Sequence, residues 1–289
     1  MYNLRYHVAS LVAVFLSLAV GLLLGTVVAE RGMITDQSSA LVADLQARFN
    51  EIDEANEELR LGLARDRTFA EDAAEALTAG RLEGMHVAVL VGAGRSDGRS
   101  AVEEAVAEAG GTTVMAPMSV PGLGLGTSEP EGLAGYFHAR DIEMASPGED
   151  LWDQVAIALV DEWRSGGEQP LTALLVEAQL LGPIESADGT ATIDAVVVMT
   201  ADGEECDPFG LALARAMADA GGVGVAAEAA TSSGVVAAAC ADEGLPAVAH
   251  VNTAQGRVSL VWILGGRAHG YFGAGDGADG YYPPLSPTD

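Results

Sequence analysis

MHVAVLVGAGRSDGRSAVEEAVAEAGGTTVMA, residues 85–116, decides the fold. Met85 to Val91 is a continuous apolar run bounded by Gly84 and Gly92. A short apolar run without polar alternation suits a strand buried on both faces. A glycine-rich loop follows, then AVEEAVAEA with helical periodicity, stopped by Gly110-Gly111. Thr112 to Ala116 reads as a second strand. Strand, loop, helix and strand in that order make a crossover unit, which favours a parallel sheet and a right-handed connection.

The loop glycines Gly92, Gly94 and Gly98 invite comparison with a phosphate cradle. Their spacing is GxGxxxG, and Val114-Met115-Ala116-Pro117 stands where an acidic residue should close the second strand. The chain contains no Lys, so a Walker-type lysine is missing too. A tight strand-to-helix turn needs glycine for its own geometry, and that is the reading taken here.

Toward the C-terminus the alternation resumes. Ala195 to Met199 is a buried strand, followed by the acidic loop TADGEECD (200–207). Pro208 to Ala220 is a helix with Pro in its first turn, where the missing N–H does no harm. Val223–Ala227 and Ala247–Val251 read as strands, Ser232–Asp242 and Ala254–Arg267 as helices. This alternation means an open, doubly wound parallel sheet, with ligand sites expected at strand carboxyl ends. Those ends fall at Gly92–Asp97, Thr200–Asp207 and Asn252–Thr253. Asp202, Glu204, Glu205 and Asp207 make this rim acidic, a place for a divalent cation or, more commonly, a solvated loop. Between the halves, residues 117–148 are rich in Pro and Gly and read as irregular. Leu151–Trp163 and Leu171–Leu181 read as apolar helices without a chemical constellation.

Toward the N-terminus, residues 34–77 are acidic and free of Pro. Leu45, Ile52 and Leu59 lie seven apart, with Leu41 and Ala55 at the companion offset. That is a short heptad seam flanked by the solvated Glu51, Asp53, Glu54, Glu57 and Glu58. At Gly62 it slips, because Leu59 to Leu63 is a step of four. The seam reads as a stalk that pairs with itself or with a partner of similar build; the other reading is one long helix packed on its own domain.

Upstream, VASLVAVFLSLAVGLLLGTVVA runs uncharged from Val8 to Ala29. About 20 apolar residues span a bilayer core, and a signal-peptide apolar region is shorter, so this reads as an uncleaved anchor. Ser10, Ser17 and Thr26 can return their hydroxyls to the helix's own carbonyls. Ser17, Gly21 and Gly25 form a small-residue face, including a GxxxG, that lets helices approach closely. Arg5 and the amino terminus precede the anchor, and an acidic chain follows Glu30 and Arg31. That bias places the N-terminus in the cytoplasm and the bulk outside.

Net charge is −28, and all 14 basic residues are Arg, so no basic patch can grip nucleic acid. Two cysteines, Cys206 and Cys240, allow one disulfide outside the cytoplasm. They also read as separate small hydrophobes, the reading favoured by the apolar VVAAACA around Cys240. His7, His86, His138, His250 and His269 are scattered, and HExxH and SxxK are absent. No enzyme is expected. The tail from His269, HGYFGAGDGADGYYPP, reads as a coil that hugs the domain or meets a partner; it lacks EF-hand spacing.

The opening MYNLRYHVASLVAVFLSLAVGLLLGTVV, the acidic stalk, HVAVLVGAG (86–94) and HVNTAQGRVSLVWILGGRAHGYFGAGDGADGYYP (250–283) resemble the actinobacterial envelope family named after the copper transporter MctB, also described as SteB. The tail departs from it at Tyr281, Tyr282 and Pro284. The resemblance implies a single anchor, a coiled stalk and an extracytoplasmic α/β domain, with an outer-envelope location also implied. It implies either copper transport or efflux by an oligomer, or regulation of a peptidoglycan hydrolase in cell separation. Copper(I) wants soft ligands. The candidates are Met115 and Met118, an MxxM, with Met144, Met199 and Cys206. These do not make a chaperone-like cluster, and one spanning helix encloses no pore unless chains assemble. Strand runs of the kind a membrane β-barrel needs are missing. An anchored scaffold or interaction module therefore suits the sequence better than a channel.

The expectation is an α/β chain: an N-terminal transmembrane helix and coiled-coil stalk, then an open, mostly parallel α/β sheet domain. The segments are 1–7 in the cytoplasm, 8–29 anchor, 30–80 stalk, 85–270 α/β domain and 271–289 tail.

Overall fold

A computed structural model describes residues 4–30, 33–92, 98–126, 129–182, 192–199, 201–202, 205–229 and 235–285. The chain divides into two compact units, Met1–Asp66 and Arg67–Asp289.

The first unit is helical. Helix α1 covers Leu4–Glu30, and its Arg5–Val27 portion is long and apolar enough to cross a membrane. Two of its polar side chains do what lipid demands. Ser17 Oγ donates to the Val14 carbonyl at 2.9 Å and Thr26 Oγ1 to that of Leu23 at 3.1 Å. Helix α2, Met33–Thr78, is 46 residues long and ends in the second unit. It passes through Gly62 without a break, although glycine costs about 1 kcal/mol against Ala inside a helix. Pairs along the turns, Arg48–Asp44 at 3.0 Å and Arg67–Glu71 at 2.8 Å, add local support.

The second unit is a six-stranded sheet with helices on both faces. Its strands are β1 His86–Val91, β2 Thr112–Pro117, β3 Ala195–Met199, β6 Val223–Ala227, β7 Ala247–Val248 and β8 Tyr271–Phe272. A separate small hairpin joins β4 Ala201–Asp202 to β5 Glu205–Cys206. The sheet order is β2-β1-β3-β6-β7-β8, and every pairing is parallel. Side chains alternate across it. Val87, Val89 and Val91 face the layer of α3 (Arg99–Glu108) and α9 (Ala254–Leu264). Ala88 and Leu90 face the opposite layer, which holds α4 (Leu133–His138), α5 (Glu149–Ser165), α6 (Pro170–Glu177), α7 (Pro208–Asp219) and α8 (Val235–Asp242). With both faces covered, the strands are apolar without interruption, as residues 85–91 and 195–199 show.

Several expectations change. The tail is not only a coil, since Tyr271–Phe272 is the edge strand β8, fixed where the Asp279 carboxylate accepts the Tyr271 N–H at 3.0 Å. The strand expected over 247–251 stops at Val248, and His250 turns the chain at a φ of 60°. Helix α6 ends at Glu177, and Leu181 instead bridges to Met118. Residues 117–148 contain a 3-10 turn at Pro121–Gly124 as well as α4. The helix start expected at Ser232 lies outside the described residues.

The cysteines also differ from the favoured reading. Cys206 and Cys240 are bonded to each other, with Cα atoms 5.1 Å apart. The β4–β5 hairpin brings Cys206 back against α8, where Cys240 is buried. A buried apolar setting is thus compatible with a bridge and does not argue against one.

Candidate functional site

Strand β1 has β2 on one side and β3 on the other, so the chain reverses direction across the sheet at this point. Doubly wound sheets place ligands at the carboxyl ends of the strands flanking such a reversal. Here those ends are tied by backbone, with Met118 N–H donating to the Val91 carbonyl at 2.7 Å and Gly92 N–H to that of Met199 at 3.4 Å. Gly98, which opens α3, has a φ of 83°. A Cβ there would lie 2.9 Å from Ala229 and 3.2 Å from both Met199 and Val251. The glycine is required by conformation and by close apolar packing. Gly94, the middle of the sequence pattern, lies outside the described residues.

The acidic rim resolves into different roles. Asp207 is buried and caps two backbone amides at 2.8 Å, those of Gly210 in the first turn of α7 and of Gly122 in the 3-10 turn. Glu228, at the carboxyl end of β6, is buried too and accepts from Ala237 N–H in α8 at 2.8 Å. Thr253 caps α9 through Gly256 N–H at 3.1 Å. Glu205 is exposed. Glu204 and the Asp202 side chain lie outside the described residues. Asp207 and Glu228 are thus satisfied by backbone amides as structural caps, and sequence gave no sign of their burial. Among the described residues, no group of three or more His, Cys, Asp or Glu side chains is placed to hold a metal ion.

The soft-donor candidates are spread apart. Met115 and Met199 lie in the layer under α3 and α9. Met118 and Met144 belong to the opposite layer. Cys206 carries no thiolate while its bridge stands. Met115 and Met118, the MxxM pair, therefore cannot share an ion across the sheet.

Among the clefts on the second unit are two of similar volume. One, of about 320 Å³, lies between the 3-10 turn, Trp152 and the Cys206–Pro208 segment. Trp152 Nε1 is buried there without a hydrogen-bond partner. The other, of about 280 Å³, is an apolar groove between Phe69, Ala73 and Leu77 of α2, Val258 of α9, and Tyr282 and Leu285. Trp262 Nε1 donates to the carbonyl of Leu77, one of the groove residues, at 3.3 Å.

The densest polar network sits under α4 to α6. Buried Glu162 on α5 accepts the Leu171 N–H at 2.8 Å, the Thr172 N–H at 3.1 Å and the Tyr136 hydroxyl at 3.0 Å. Arg140 lies over the Tyr136 ring at 3.7 Å. Burial first, then the bond to Glu162, pushes the Tyr136 hydroxyl up from 10.0 to about 12. Because α6 begins with Pro170, its first turn offers amides at Leu171 and Thr172, and the carboxylate closes them. The network locks three helices together.

What remains without a partner inside its own unit is apolar. On α1, a Cβ at Gly21 or Gly25 would meet nothing within 4 Å, so the face they share with Ser17 is open. On α2, Leu45, Ile52 and Leu59 are all exposed, as are Val42, Phe49 and Leu63 on the same stripe. The first three were legible from their spacing of seven. The second three were not, because Asn56 interrupts their row.

A family model for the copper transport outer membrane protein MctB matches residues 1–283. The chain belongs to the MctB family. No curated protein and no solved structure matches it. As an MctB-family member with an N-terminal apolar helix, it is a membrane-anchored, copper-transport-related protein.

Proposed function

We propose that this MctB-family chain is a scaffold or interaction module of the cell envelope, held by one spanning helix. The α/β domain is the recognition body, and α2 is the stalk that brings two anchored chains together. The observation that carries this reading is the row of large apolar side chains along α2, 46–67% exposed in the isolated chain. Such a row is rarely left to water in a soluble helix. The open Ser17-Gly21-Gly25 face supports pairing within the membrane. The Cys206–Cys240 bridge supports a domain outside the cytoplasm, where disulfides persist, in keeping with the N-terminus inside. No catalytic role is assigned.

The family description favours a second reading, in which an oligomer of this chain moves copper. It requires several chains, since one helix encloses no pore, and soft donors brought together between copies rather than within one. Regulation of a peptidoglycan hydrolase, implied by the sequence resemblance, is a use to which the scaffold is suited.

Crosslinking the full-length protein in its native membrane, purifying it and measuring copper alongside separates these readings. The scaffold reading expects a paired chain or a stoichiometric anchored partner, without copper. Copper retained in a homo-oligomer overturns it in favour of transport.

A further inference from the structure

The exposed stripe on α2 has a finer pattern than a repeat of seven. From Val42 the apolar positions advance by three and four in strict alternation: Val42, Leu45, Phe49, Ile52, Asn56, Leu59, Leu63. One row of the heptad is Val42, Phe49, Asn56 and Leu63, and the other is Leu45, Ile52 and Leu59. The step of four from Leu59 to Leu63 belongs to the repeat and is not a slip. We propose that α2 from Val42 to Leu63 forms a parallel, in-register, two-stranded coiled coil with a second copy of this chain. This inference rests on the scaffold reading and specifies its partner and geometry.

Four observations point to a second copy. First, Asn56 is the lone polar residue in the seam, and it stands in the row of Val42, Phe49 and Leu63. A single asparagine in that row favours two strands and fixes register, because any slip pairs an amide with hydrocarbon. Asn56 Nδ2 donates to the Ile52 carbonyl at 2.9 Å in its own helix, which holds the amide on the seam. Second, the flanking positions hold one complementary charge pair and no opposed like charges. In a parallel pair each residue before the Val42 row faces the residue five later on the other helix. That sets Arg48 opposite Asp53, Ala55 opposite Arg60 and Gly62 opposite Arg67, with no like-charged pair.

Third, the acidic residues Glu51, Glu54, Glu57 and Glu58 fall on outward positions, so the strong negative charge does not oppose pairing. Fourth, the stripe ends where the domain begins. Asp66 takes the next seam position, and beyond it Ala70, Ala73 and Leu77 continue the row but line the groove against Val258 of α9. The chain's own domain covers that face, leaving only the stripe before Asp66 for another copy. Two anchors in one bilayer impose the parallel direction and raise the effective concentration of a short seam.

Both native cysteines are bonded to each other, so one introduced cysteine reports on its own position. The full-length protein in its membrane, carrying Leu45→Cys, Ile52→Cys or Leu59→Cys, is oxidised with diamide. Each is expected to give a disulfide-linked dimer at least tenfold more readily than the outward variants Glu54→Cys and Glu57→Cys. Arg48→Asp is expected to lower the dimer yield, and adding Asp53→Arg to restore it. A dimer at none of the five positions overturns both this inference and pairing through the stalk. Equal yield from seam and outward positions, or no rescue by the double charge reversal, overturns the register while leaving the scaffold intact. A linked product with a different protein overturns the second copy as occupant.

Discussion

Individual residues explain how this chain closes its structure around few charges. Asp207, read in sequence as part of an acidic rim, and Glu228 and Glu162, which drew no reading there, are each buried and spent on backbone amides. Neither burial nor capping can be read from an Asp or a Glu alone, which is why the acidic rim suggested a cation site. The cysteines were ambiguous for a related reason, since a separation of 34 residues carries no geometry. Replacing Cys206 and Cys240 with Ser should lower stability by about 3–4 kcal/mol on the loop-entropy model. Chemical denaturation of the membrane-reconstituted protein measures this, and an unchanged midpoint would contradict it. Tyr136 gives a pH prediction. Its hydroxyl is held protonated by burial and by Glu162, with its ordinary value of 10.0 raised to about 12. A group whose folded value is raised adds stability below its unfolded value and loses it between the two. The melting temperature of the α/β unit should therefore fall from about pH 10 to pH 12, and Tyr136→Phe should flatten part of that fall. A wild-type melting curve equally steep in the variant would remove Tyr136 from the effect.

At the scale of elements, legibility followed continuity of pattern. Strands β1, β3 and β6 were visible as near-continuous apolar runs buried on both faces, and β2 through the apolar Val114-Met115-Ala116 that follows Gly110-Gly111. Helix α7 announced itself through Pro208 in its first turn, and the cap by Asp207 emerged only in the structure. Strands β7 and β8 are two residues each, and their pairing depends on Asp279, remote from either partner's pattern. Local reading therefore saw a long strand and a glycine-rich coil. On α2 the spacing of seven was seen and its companion row was not. Asn56 broke the apolar count, and Leu63 then looked like a slip. Once the stripe is laid on a continuous helix, Val42, Phe49 and Leu63 fall beside Leu45, Ile52 and Leu59. The residue that hid the row is the one that would set its register.

For the whole molecule, a mostly parallel α/β sheet was foreseeable from alternating strands and helices, whereas its order β2-β1-β3-β6-β7-β8 was not. The fold alone assigns no chemistry. Among the described residues, its switch point carries backbone ties and apolar packing around Gly98, and the thioethers are divided between two layers. Among the described residues, the chain displays an N-terminal apolar helix with an open small-residue face and, along α2, a row of exposed large apolar side chains. These features support the proposed scaffold, which would act by assembly, and a copper-related family role is compatible with it. The most direct test is the mass of the full-length protein in detergent micelles, corrected for bound detergent. It should be made beside a variant carrying Gly21→Ile, Leu45→Asp and Ile52→Asp. The account predicts two chains per particle for the wild type and one for the variant. A wild type with one chain per particle, or a variant that still pairs, would contradict it.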